Sequence, residues 1–94
     1  MEFTPEQKLE ALRLQLPRAP IAQIAAIILK DWGSSVNYAA KPYLRAMLSL
    51  TNLQSMHGAD DGRSIVQYFL SNAQTWRGPI ARVVKAELNK RLAS

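Results

Sequence analysis

Proline and glycine cut this chain into helix-length pieces, and that punctuation limits the fold more than any other feature. A proline cannot sit in a helix interior without removing a hydrogen bond and clashing with the preceding turn. Pro5, Pro17, Pro20, Pro42 and Pro79, with Gly33 and Gly78, therefore mark where helices start and stop. The pieces between them carry apolar residues at spacings of three and four, the period of a helix with one buried face. Alternating strand patterns are almost absent.

The reading along the chain follows from that period. Thr4-Pro5-Glu6-Gln7 forms a capping box with proline in the first turn. Leu9, Leu12 and Leu16 share a face behind it, and Leu14 falls off that stripe. A second helix is expected from about Pro20 to Trp32, with Ile21, Ile24, Ala25, Ile28 and Trp32 on one side. Ile27 and Leu29 widen its apolar surface, so this helix is expected to be central. Gly33 is expected in a left-handed cap.

A third helix is expected from about Val36 to Leu53, capped by Ser34 or Ser35. Pro42 leaves its start open. If the helix begins near Ser35, Pro42 kinks its second turn; if near Lys41, Pro42 is an ordinary first-turn proline. Residues 56 to 62 read as a loop, with Asp60 or Asp61 capping a fourth helix from Arg63 to about Ala73. After Trp76-Arg77-Gly78-Pro79 a last helix runs to about Leu92, with Ile80, Val83, Val84 and Leu88 as its stripe. The expected architecture is all-α, a single domain over residues 1–94 built as a compact bundle of about five short helices.

Composition bears on chemistry. The chain has no cysteine, so disulfides and thiolate metal sites are excluded. Its longest apolar run, Ile24 to Leu29, is too short for a membrane span. The start, Met1 to Glu6, is acidic and unlike a signal peptide. These features lead to the expectation of a cytoplasmic protein with no membrane partner.

Catalysis is not expected. His57 is the sole histidine, in the loop His57-Gly58-Ala59-Asp60-Asp61. A metal site needs three or four convergent ligands, and adjacent aspartates rarely converge. No glycine-flanked serine elbow or phosphate-cradling glycine loop is present. Neither cofactor nor metal is expected.

Charge is unevenly placed. The net charge is +5, and residues Arg77 to Ser94 hold five basic side chains against Glu87 alone. Such a surplus favours an anionic partner surface, an acidic protein or a nucleic acid. The same cations also suit the C-terminal end of a helix. Binding candidates combine these cations with aromatic residues, which dominate interface hot spots and stack on bases. They are Lys41, Tyr43 and Arg45 in one stretch, Arg63, Tyr68, Asn72, Trp76 and Arg77 in another, and Arg82 and Lys85 in the last helix. Tyr68 and Asn72 are one turn apart and share a face. Two of Tyr38, Tyr43, Tyr68 and Trp76 are expected at the surface, with nothing in the pattern to choose them. Leu14, Ile27, Leu29 and Leu50 exceed what one small core readily hides, which makes a homodimer plausible.

Tyr38-Ala39-Ala40-Lys41-Pro42-Tyr43-Leu44-Arg45-Ala46-Met47, the run Gly58 to Ala73, and Trp76-Arg77-Gly78 together resemble small uncharacterised proteins carried by phages and prophages. The resemblance covers about residues 21 to 92. It implies a mobile-element setting and a non-catalytic protein that binds, and inhibits in the manner of an anti-CRISPR, a host protein or nucleoprotein complex. Direct nucleic-acid binding is the second expectation, and binding of a small ligand such as a nucleotide the third.

Overall fold

Thr4 begins the structure as its spacing requires. In the computed structural model, which describes residues 3–94, its hydroxyl accepts from the Gln7 N–H at 3.2 Å, and the Gln7 side chain accepts from the Thr4 N–H at 2.9 Å. Met1 and Glu2, part of the acidic start read against a signal peptide, lie outside the described residues. Helix α1 spans Pro5–Gln15 and turns Leu9, Leu12 and Leu16 toward the core. Leu14 stands 71% exposed. Pro17 converts the end of α1 into a single 3-10 turn, Leu16–Arg18.

Helix α2, Ile21–Trp32, is central, with Ile21, Ile24, Ala25 and Ile28 fully buried. Its N-cap is Pro20, which offers no side-chain acceptor. The orphan N–H groups of Ile21 and Ala22 donate instead to the carbonyls of Thr51 and Leu50, at 2.9 and 2.8 Å. Gly33 ends α2 with φ +59°, but its ψ of −134° lies outside the left-handed helical region. The expected left-handed cap is therefore corrected to an extended glycine turn.

The third segment departs most from expectation. Helix α3 spans only Lys41–Met47, so Pro42 belongs to its first turn. Ser34 and Ser35 do not cap it; they complete a 3-10 turn, Gly33–Ser35. Beyond Met47 the chain leaves the helix although Leu50 and Leu53 are buried. Its carbonyls explain why: Leu50 and Thr51 serve the start of α2, and Leu53 accepts from the Arg63 N–H at 3.0 Å. A helix over this stretch would need those same carbonyls internally.

The expected loop at 56–62 contains a minimal antiparallel hairpin, β1 Met56–His57 with β2 Asp60–Asp61. Asp61 then caps helix α4, Gly62–Ser71, by accepting from the Ser64 N–H at 2.8 Å. Gly62 packs so closely that a Cβ there would lie 2.6 Å from the Asn52 carbonyl oxygen. Helix α5, Pro79–Ala93, follows Gly78, whose φ of +113° suits glycine.

Packing unites these elements. Helix α2 packs against α3 and α5, and α4 joins α3 to α5. Helix α1 lies along the other side of α5. At the centre the rings of Trp32 and Trp76 stack at 5.8 Å, and Phe69 meets both edge-on. Among the described residues no polar or charged side chain is buried. None of the described helices is long and apolar enough to cross a membrane.

Candidate functional site

The hairpin holds the one histidine, and its chemistry is modest. His57 is exposed, with Nδ1 2.9 Å from the Ser49 hydroxyl oxygen. That hydroxyl also reaches the Ala46 carbonyl at 2.8 Å. The ring tautomer sets which partner donates in the Ser49 contact, and no carboxylate is bonded to the His57 ring among the described residues to orient it as a base. Asp60 faces His57 across the hairpin, while the Asp61 carboxylate is turned to α4. The Ser64 backbone N–H and then its hydroxyl hold the Asp61 pKa below its ordinary value. Among the described residues no three His, Cys, Asp or Glu side chains gather as metal ligands.

The aromatic candidates separate. Tyr38 and Tyr68 are exposed, at 88% and 51%, and Tyr43 is half-buried. Tyr43 and Tyr68 lie ring to ring at 5.4 Å, joining α3 to α4. Trp76, a binding candidate, is instead in the core at 2% exposure, so the two exposed aromatics of the four are Tyr38 and Tyr68. Its ring is stacked on Trp32, and its Nε1–H donates to Asp31 at 2.9 Å. An indole is readily buried once its one donor is paired.

Several polar candidates turn out to serve the fold. The Asn72 side chain donates back to the Tyr68 carbonyl at 2.8 Å. The Arg63 guanidinium donates to the carbonyl oxygens of Leu92 at 2.6 Å and Ser94 at 3.4 Å, at the end of α5. Lys85 donates to the carbonyls of Ala73 and Trp76 at 2.7 and 2.6 Å, with its ammonium 5.7 Å from the Trp76 ring. Burial, and then the nearby Arg77 charge, lower its pKa. Lys85 therefore closes the chain leaving α4 and is not a free surface cation. Lys41 and Arg45 are exposed but line a cleft of about 160 Å³ between α2 and α3. Tyr43, midway between them, falls on the other side of the helix, so this stretch does not present one aromatic and basic face.

What remains is concentrated along α5. Arg77, just before α5, and Arg82, near its N-terminal end, are exposed. A cleft of about 350 Å³ runs between α1 and α5. Leu16, Pro17, Val83 and Ala86 form its apolar lining, with Arg82 and Lys90 on the α5 lip and Arg13 on the α1 lip. Its one acid, Glu87, is held by Arg91 at 2.7 Å and is 11% exposed. Arg91 also donates to the carbonyls of Leu16 and Ala19, at 2.6 and 2.8 Å. The cleft thus presents three outer cations, while its carboxylate is neutralised from inside. Arg13 makes only a 3.9 Å contact with Glu10, and both side chains are more than half exposed. Arg13 and Lys90 were not among the sequence candidates. The spacing of Arg82 and Lys90, two helical turns apart, was visible; the juxtaposition with α1 was not.

No family model, curated protein or solved structure matches this chain.

Proposed function

We propose that this is a non-catalytic interaction protein that binds an anionic macromolecule through the outer face of α5. One observation carries the reading. The half-buried cations Arg63, Lys85 and Arg91 are bonded to the protein's own carbonyls, whereas Arg77, Arg82 and Lys90 stand exposed with no carboxylate bonded to them among the described residues. Unpaired like charges aligned on one face repel each other, and an acidic partner relieves that repulsion. The phage resemblance makes a host protein or nucleoprotein complex in the cytoplasm the partner, with inhibition as the outcome of binding. His57 supports the non-catalytic part of the reading, because its ring lies exposed and no carboxylate is bonded to it among the described residues.

The experiment is affinity capture from host lysate, with and without nuclease. The double variant Arg77→Glu, Arg82→Glu alters exposed side chains only and is expected to lose the captured complex. Retention of that complex by the double variant removes the α5 face from the account. Loss of capture on nuclease treatment moves the partner to nucleic acid, whose affinity should fall steeply with salt.

A further inference from the structure

The α1–α5 cleft combines charge and apolar surface in a way that narrows the partner. Arg82 and Lys90 lie two turns apart on α5, about 12 Å along its axis. Between them Ala86 leaves the lip low, and Val83 and Pro17 form an apolar floor over the buried Leu16. Arg13 faces them from α1. The Leu16 carbonyl beside the floor is already taken by Arg91. One wall is α5 and the other the end of α1 with its 3-10 turn, so no strand edge is offered to an added strand. Recognition here must go through side chains.

We propose that this cleft is the docking groove for an acidic amphipathic helix of a partner protein. The inference rests on the anionic-partner reading above and specifies the partner's chemistry. Apolar side chains of the incoming helix sit on Pro17, Val83 and Ala86. Carboxylates two turns apart on its flank meet Arg82 and Lys90, and a carboxylate on the other flank meets Arg13. A nucleic acid fits less well. No aromatic ring lines the groove for bases to stack on, and a phosphate backbone would be held over an apolar floor.

The test uses labelled peptides of about sixteen residues, roughly 24 Å as a helix. One has leucines at helical spacing flanked by glutamates. A second is its scramble, and a third carries lysine in place of glutamate. Fluorescence anisotropy should show saturable binding of the first alone. Arg82→Glu with Lys90→Glu should weaken it by about tenfold or more, equivalent to 1.4 kcal/mol or more. Ala86→Trp, which fills the groove from an exposed position, should weaken it comparably. Circular dichroism should be unchanged in both variants. Equal binding of the scramble, or no effect of Ala86→Trp, overturns the groove while leaving the anionic-partner reading intact. Absence of binding by the first peptide also overturns it, and binding of an oligonucleotide instead gives the face to nucleic acid. The anionic-partner reading fails separately, if the Arg77→Glu, Arg82→Glu variant captures its complex undiminished.

Discussion

The Arg91 guanidinium donates a 2.6 Å hydrogen bond to the carbonyl of Leu16, a residue 75 positions earlier in the chain. The same nitrogen reaches the Ala19 carbonyl, and Nε binds Glu87. One side chain thus satisfies the connection between α1 and α2 and neutralises the carboxylate in the adjoining cleft. Arg91→Ala is expected to lower unfolding stability by about 2 kcal/mol, because it strands a mostly buried carboxylate and the Ala19 carbonyl, while the Leu16 carbonyl keeps only its bond from the Ala19 N–H. Urea denaturation measures this. Adding Glu87→Gln should recover part of the loss. Additive losses in the double variant would show that the ion pair does not couple the two residues.

Gly62 sets how closely α4 approaches the chain after α3. An added methyl would meet the backbone at Asn52 and Leu53, and backbone cannot rotate away as a side chain can. Gly62→Ala should therefore destabilise by about 1–3 kcal/mol, the usual range for overpacking. This opposes the gain that the lower backbone entropy of alanine in the unfolded chain would give, about 0.4–1 kcal/mol. The sign of the shift in thermal midpoint decides between them.

Asp61 contributes an acid-sensitive element. Its folded pKa is depressed, so its stabilisation is present above the unfolded value of 3.8 and is lost as pH falls through the folded value. Stability of the unmodified protein should decline on acidification below about pH 4. Asp61→Asn keeps a capping oxygen but has no titration, and its stability profile should be flatter in that window. Parallel profiles would assign the acid limb to other carboxylates.

Lys85 gives a pH dependence of the same sign in an alkaline window, for the opposite reason. Its pKa is also lowered, but here the charged form is the one disfavoured in the fold. The folded state therefore binds fewer protons than the unfolded state just below pH 10.5, and stability contributed by this group rises through that window. Lys85→Met should abolish the rise. At neutral pH it should cost about 1 kcal/mol through the lost bonds to the Ala73 and Trp76 carbonyls. Denaturation at two pH values separates these effects.

The helices were legible because their signals are local. The Thr4 capping box, the Asp61 cap and the inward stripe of α2 all lie within a few residues. The shortening of the third helix was not legible. It depends on Leu50 and Thr51 giving their carbonyls to α2, a pairing across about thirty residues that periodicity does not register. Trp76 illustrates the same limit at the candidate site. Its place in the sequence, beside Arg77 and before a helix, suits an exposed anchor. Only the stacking partner Trp32 and the acceptor Asp31 put it inside. Likewise Leu50, which the sequence added to a surplus of apolar residues, is buried at 1% exposure. Leu14 and Leu29 remain exposed.

The bond from Arg91 to Leu16 also orders events in time. During synthesis from the N-terminus, the Leu16 carbonyl has only its local bond from the Ala19 N–H, and the Ala19 carbonyl lacks its Arg91 donor, until residue 91 has been made. Until then α1 has no α5 to lie against, so its leucine stripe stays exposed in the growing chain. The first helix is therefore expected to be among the last to become native, in a fold whose other contacts can begin to form earlier.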